Sequence, residues 1–327
     1  MHVFVSGATG VLGRRLVERL ADRGHTVSGL ARDDAGADLV EARGGAPRRG
    51  DVLDSDSLAD AMYDPEAVIH AATALPTATK PSDEAWARND RVRLQGAKNL
   101  LAAAGEGLSQ FLFPSVVWLA RQPDGSAFDE TATRHPDRVT QSAADVEDLL
   151  QETASERGFD ATVLRCGMFY APDGAYTRQF ARNILAGDMA IPCGGLLGRR
   201  DAHLSLVHAD DAARALADAL DADIGGIYHV VDDERVTAIE YVRTFASMLD
   251  ASEPRRVPAW LARFFVGEST ANLLSKPMPT TAETFKDATG WEPTYPTYHE
   301  GLRQVVETWE NDGTLQATSD GYAWAES

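Results

Sequence analysis

Residues 2–13 read His2-Val3-Phe4-Val5-Ser6-Gly7-Ala8-Thr9-Gly10-Val11-Leu12-Gly13. An apolar run of strand length meets a turn with glycine at every third position. Leu12, Leu16 and Leu20 then recur every four residues until Gly24 stops the pattern. The stretch is therefore a strand, a glycine turn and a helix. The first glycine allows the tight turn, the second lets the backbone approach a pyrophosphate, and the third lets the helix pack on the strand. The N–H groups at the helix N-terminus then face the phosphates. A dinucleotide site is expected at Gly7, Thr9, Gly10, Val11, Leu12 and Gly13.

Working outward, strands are expected at 26–31, 67–72, 111–119 and 161–165, with a further element ending at Gly50-Asp51-Val52-Leu53-Asp54. Helical periodicity fills 56–63, 83–104 and 140–157 between them. Alternation of this kind is what a parallel sheet with crossover helices requires. The expected class is α/β, a Rossmann-type doubly wound parallel sheet over residues 1–165. Past Cys166 the rhythm gives way to glycine and proline clusters at 171–174 and 192–198. A helix from Ala209 and a strand at 227–231, within residues 205–231, are expected to return to the first domain. Residues 166–204 and 232–327 then make a smaller C-terminal substrate lobe, and the cleft between the lobes is the expected site.

The 327 residues are 44% hydrophobic and 25% charged, which suits a globular protein with a sizeable core. Asp and Glu number 50 against 31 Lys and Arg, for a net charge of −19. Such a surface repels nucleic acid and anionic membranes, so a small-molecule substrate is the expected partner, with a homodimer left open. No apolar run approaches the ~18 residues of a membrane span, and the N-terminus is not a basic leader, so a cytoplasmic location is expected. Cys166 and Cys193 fit neither a disulfide framework nor a zinc spacing and read as reduced thiols; no metal cluster is expected. The acidic residues include 31 Asp, whereas Lys occurs only 4 times beside 27 Arg. This balance suggests a halophilic protein, in whose salt such repulsion is screened, with arginine codon bias as the alternative.

The end of the second strand bears on which dinucleotide is held. An NAD site usually places a carboxylate there, but this chain reads Gly29-Leu30-Ala31-Arg32. A guanidinium pairs with a 2′-phosphate that a carboxylate would repel, so Arg32 favours NADP(H) over NAD(H). Asp33 and Asp34 stand next to it and oppose that reading. Asp51 and Val52, past the third strand, are placed to flank the adenine, although Asp51 also reads as a turn residue.

These motifs together resemble the extended and atypical short-chain dehydrogenase/reductases, the group that includes nucleotide-sugar epimerases and dehydratases. Ser6 to Gly13 is similar to the group's TGxxGxxG, and Gly50 to Asp54 to its adenine-site GDxxD. Ile69-His70-Ala71-Ala72 is similar to the strand that backs the cofactor. Leu164-Arg165-Cys166-Gly167-Met168-Phe169-Tyr170-Ala171-Pro172 resembles LRPGxxYGP, and Leu206 to Ala213 resembles FVHVDDVA. Gly290-Trp291-Glu292-Pro293 with Glu300-Gly301-Leu302 also fits. The resemblance implies that Ala71, Ala72, Cys166 and Gly167 border the cofactor. It also implies a Tyr-x-x-x-Lys pair after the fifth strand, with tyrosine exchanging a proton and lysine lowering its pKa. Here the match fails. Aligning Ser142 and Glu147 with YxxSKxxxE places Val139 and Ala143 at the pair, and a shift by two places Gln141 and Asp145 there. Neither register supplies a phenol or an amine.

Other donors are therefore weighed. Ser115, at the end of the fifth strand, is placed to meet a substrate oxygen, and Tyr170 is the nearest phenol; both are candidate catalytic residues. His208 precedes Asp210 and Asp211 and reads as a helix cap, and His70 as a core residue. Arg178, Arg199 and Arg200 would suit an anionic substrate, whereas Trp118, Met168, Phe169 and Trp260 would suit a less polar one. The expected function is an NADP(H)-binding reductase of a carbonyl compound with a non-standard proton donor. The alternatives are a catalytically silent dinucleotide-binding protein, structural or redox-sensing, and a nucleotide-sugar epimerase with relocated acid and base.

Overall fold

Strand β1 (His2–Ser6) alternates its side chains between two cores: Val3 and Val5 enter one, Phe4 the other. A strand buried on both faces reads as an unbroken apolar run for this reason. The computed structural model describes residues 1–78, 80–319 and 321–325, without the side chains of residues 265, 266 and 269. The first part continues through α1 (Val11–Asp22), β2 (Thr26–Ala31), α2 (Asp34–Glu41), β3 (Ala46–Arg49), α3 (Ser55–Ala61), β4 (Ala67–His70), α4 (Asp83–Ala103), β5 (Gln110–Val116), α5 (Gln141–Arg157) and β6 (Asp160–Cys166). Then come β7 (Met168–Tyr170), α6 (Ala175–Leu185), β8 (Ala190–Cys193), β9 (His203–Leu204), β10 (Leu206–His208), α7 (Ala209–Asp221) and β11 (Gly226–Val230).

The main sheet has seven strands in the order β11-β6-β5-β4-β1-β2-β3, and its neighbours run parallel. The order reverses between β1 and β4, and the crevice beyond the C-terminal ends of those two strands is where such sheets hold ligands. Helices α1 and α7 pack together on one face, and α3, α4 and α5 cover the other. Two expected strands end early. β4 stops at His70 because Ala71 and Ala72 turn against Gly7, and β5 stops at Val116, with Val117–Leu119 forming one 3-10 turn.

The rest of the chain supplies β12 (Val236–Thr237), α8 (Ala238–Met248), β13 (Arg255–Pro258), α9 (Ala259–Val266), α10 (Glu268–Ser275), α11 (Glu283–Thr289), α12 (Tyr298–Asn311), β14 (Leu315–Thr318) and β15 (Gly321–Trp324). These elements share a core with the sheet: Phe245, Trp291 and Trp309 belong to the same buried cluster as Val3 and Leu16. β8 pairs with β13 and β7 with β10 in two small parallel sheets apart from the main one.

Candidate active site

The glycine turn has no room for side chains. Gly7 sits at φ +74°, and a Cβ there would lie 2.5 Å from the Ala72 nitrogen; at Gly13 it would lie 2.0 Å from the Gly7 carbonyl oxygen. The Gly10 N–H closes the turn on the Gly7 carbonyl at 2.9 Å, and the Ala71 N–H bonds the Ser6 carbonyl at 3.0 Å. Gly10 caps α1 with no side-chain hydrogen bond, and the first turn of α1 carries no acid. The first-turn N–H groups are thus left for an anion, and the residues present fit the diphosphate of a dinucleotide.

At the end of β2, Arg32 is exposed and makes no ion pair among the described residues, while both neighbouring carboxylates are occupied. Asp33 caps α2 by accepting from the Gly36 N–H at 2.8 Å, and Asp34 pairs with Arg49. The opposition expected from these two acids is therefore reduced. Thr9 lies beside this corner, its methyl 3.2 Å from where a Cβ on Gly36 would stand. Asp51 accepts from the Leu53 N–H at 2.9 Å, so its carboxylate shapes its own turn. Val52 is buried, and its carbonyl accepts from Asn99 Nδ2 at 2.9 Å. Cys166 is buried, which pushes its thiol up to about 12, and Gly167 lies against β10, where a Cβ would be 2.8 Å from the Leu206 carbonyl carbon.

The two expected proton donors are both tied into the protein interior. Ser115 donates to Glu147 Oε1 at 2.6 Å, so its hydroxyl is turned to α5. Glu147, fully buried, accepts a fork from Arg165, Nε at 3.0 Å and Nη2 at 2.7 Å. Tyr170 is only 2% exposed, and its hydroxyl presses on Gly301, where a Cβ would be 2.2 Å away. Burial, reinforced by Asp232, pushes the Tyr170 phenol far above its ordinary value. His208 caps α7 through the Asp210 N–H at 3.2 Å. His70 is buried, its Nε2 on the Arg93 carbonyl at 2.9 Å and its Nδ1 on Ser6 Oγ at 2.7 Å, and burial lowers its pKa to about 4.

The positions of the expected pair are ordinary helix-start residues. Ala143 is fully buried, Val139 precedes α5, and Gln141 Nε2 bonds Asp145 Oδ1 on the surface at 2.8 Å. Two features beside them escape a reading by motif. Asn89 Oδ1 accepts from the Ala74 N–H at 3.0 Å and so holds the loop that follows β4, and Arg93 is buried one turn further along α4. Their signal is Asn89, Arg93, Gly96 and Leu100 on one buried stripe of α4, where polar residues need a reason.

Further along the chain, Tyr176 bonds the Pro76 carbonyl, Lys80 Nζ the Phe264 carbonyl at 2.9 Å, and Trp260 Nε1 the Leu196 carbonyl at 3.0 Å. These contacts join the loop after β4, α6, α9 and the segment after β8 into one rim. Leu75, Tyr176, Leu196, Leu197, Trp260 and Phe264 are exposed along it. Arg178 is turned away to Thr314 Oγ1 at 3.1 Å and the Trp324 ring.

Comparison with known proteins agrees with this architecture. The model of the NAD dependent epimerase/dehydratase family matches residues 3–230. A Streptomyces protein named 3-diazoavenalumate denitrifying reductase is 33% identical over 310 residues, 92% of this chain and 99% of that one. The UDP-glucose 4-epimerase of Thermus thermophilus, solved in complex with NAD, superposes with a TM-score of 0.76 at 26% identity, covering 95% and 99% of the two chains. A human epimerase family protein, SDR39U1, solved with NADPH, superposes with a TM-score of 0.75 at 19% identity, covering 94% and 99%. With its glycine turn, its sheet order and a family match over more than half its length, the chain belongs to the NAD dependent epimerase/dehydratase family.

Proposed function

We propose that this chain is an NADP(H)-dependent reductase that delivers hydride to an apolar, aromatic electrophile without a tyrosine–lysine pair. The observation that carries the reading is an asymmetry between the two ends of the site. The nucleotide end has the glycine turn, an α1 with no side-chain cap, and an Arg32 with no ion pair among the described residues. At the reacting end, Val139 and Ala143, or Gln141 and Asp145, stand where the pair would be, and the Ser115 and Tyr170 hydroxyls are engaged or buried.

A dinucleotide, when bound, would supply a hydride. The N–H groups of Gly10 to Gly13 would hold its diphosphate and Arg32 would meet a 2′-phosphate, while the close-packed backbone of Ala71 and Ala72 walls the turn. The apolar rim draws in an aromatic substrate and lowers the water content around the reacting atoms.

A substrate that needs no proton at a basic oxygen suits such a site best. The Streptomyces relative is by name a denitrifying reductase of a diazo compound. When hydride replaces an aromatic diazonium group, a C–H bond forms, the C–N bond breaks, and its electron pair leaves on dinitrogen, with no alkoxide to protonate. A carbonyl compound whose oxygen takes its proton from water is the second substrate class of this reading. Against a nucleotide-sugar epimerase stand the apolar rim and the engagement of Arg178 by Thr314 and Trp324.

The test is consumption of NADPH, followed by its absorbance, with aromatic diazo compounds, aromatic ketones and UDP-sugars. Turnover with either of the first two classes is expected. Interconversion of UDP-sugars, or binding of NADPH with no turnover of any substrate, would overturn the reading.

A further inference from the structure

Three arginines are buried among the described residues: Arg93, Arg121 and Arg165. Two of them meet a carboxylate, Arg165 with Glu147 at 2.7 Å and Arg121 with Asp137 at 2.9 Å. Arg93 has none. The neighbouring acid on α4, Asp90, is bound by Arg138 Nη1 at 2.6 Å. What Arg93 does reach is the start of α5: its Nη1 lies 3.3 Å from Ser142 Oγ and 3.4 Å from the Val139 carbonyl oxygen. These are long bonds to neutral acceptors, and they satisfy one of three nitrogens.

A buried guanidinium with no ion pair is costly; burial lowers its pKa, only the through-space pull of Asp90 opposes that, and an acceptor supplied from outside the chain would relieve it. The location says which one. In one register Val139 is itself the first of the two positions at which the family's tyrosine and lysine are expected, and Ser142 adjoins the second, Ala143, a buried methyl group with no reach. The backbone of Arg93 is tied to the end of β4 through His70, and Asn89 on the same stripe holds Ala74. Arg93 thus reaches from α4 to the start of α5, where Ser142 adjoins Ala143, and its backbone lies beside the end of β4 that faces the glycine turn.

We propose that Arg93 is the cation this site uses in place of the missing lysine, holding the nicotinamide-ribose end of the bound dinucleotide from the α4 side. The inference rests on the dinucleotide reading above. A guanidinium carries five donors in a fork, enough to keep Ser142 and the Val139 carbonyl while donating to ribose hydroxyls.

Calorimetric titration of the full chain with NADPH and with adenosine 2′,5′-bisphosphate separates the two claims, because the second ligand carries the 2′-phosphate but no nicotinamide ribose. In Arg93→Met the NADPH Kd should rise roughly 10- to 100-fold while the bisphosphate Kd moves by less than about threefold. The melting temperature of the unliganded variant should hold or rise, because an unpaired buried charge has been removed. Arg93→Gln gives the same reading should the methionine variant not fold. Unchanged NADPH affinity, equal weakening of both ligands, or a lower melting temperature with affinity intact would each assign Arg93 a structural role and overturn the proposal. If the native chain binds neither ligand, the dinucleotide reading itself fails.

Discussion

The Ser115 hydroxyl donates to Glu147 Oε1 across 2.6 Å, and Glu147 is held from its other side by the Arg165 fork. This places a hydroxyl that motif reading would assign to the substrate inside a buried charge network linking β5, β6 and α5. Ser115→Ala should therefore act on stability, by about 1.5–3 kcal/mol for a hydrogen bond to a charged group, and change kcat by less than about threefold. Removing the carboxylate is far worse: Glu147→Ala strands Arg165 and should cost roughly 3–5 kcal/mol. Urea unfolding alongside NADPH turnover checks both, and a hundredfold loss of kcat in a fully folded Ser115→Ala would return that serine to the chemistry.

Among the described residues Arg32 has no ion pair; its neighbour Asp33 caps α2 and Asp34 turns to Arg49. NADPH should bind more tightly than NADH, and Arg32→Ala should remove about 1.5–3 kcal/mol of the difference without changing NADH affinity. Equal affinities of the native chain for the two cofactors, measured by titration, would contradict the assignment.

His70 sets an acid limit. Its free value is 6.5 and its folded value about 4, so the unfolded chain takes up a proton that the folded chain refuses over that interval. Stability from this group is complete above 6.5 and falls as the pH drops toward about 4, by about 3 kcal/mol in all. His229 is lowered to about 4 by burial as well and adds to the slope. Asp232 works the other way, since burial raises its pKa and its contribution is lost as the pH rises. Subtracting the His70→Gln stability profile from that of the native chain isolates the His70 slope; parallel profiles would show that His70 does not carry it.

The charge balance of 50 acidic against 31 basic residues gives a separate expectation. Screening of surface carboxylates should raise the melting temperature in KCl between about 0.1 M and about 2 M. A variant with several exposed aspartates changed to asparagine should gain less. If the native chain gains nothing, the composition reflects codon usage.

The sheet was legible because β1, β2 and β6 are buried runs bounded by turns, and because the glycine spacing at 7, 10 and 13 has one mechanical meaning. The ends of β4 and β5 were not, since Ala71 and Ala72 stop pairing only on contact with Gly7, a partner far away in the sequence. The same holds for the site. Gly7 and Gly13 could be named from local geometry, but the direction of the Ser115 hydroxyl depends on Glu147, and the burial of Tyr170 on Gly301. Arg93 left a trace as a charge on the buried stripe of α4, yet only its lack of an ion pair among the described residues sets it apart from Arg165.

Hydride delivery without a tyrosine–lysine pair is the central proposal for this chain. Turnover of an aromatic diazo compound or ketone with NADPH carrying deuterium at both C4 positions of the nicotinamide, read by mass spectrometry of the product, tests it. One deuterium per product molecule is expected, at a rate that Gln141→Ala and Asp145→Asn leave within about threefold of the native chain. Deuterium-free product, or loss of transfer in either variant with the fold intact, would contradict it.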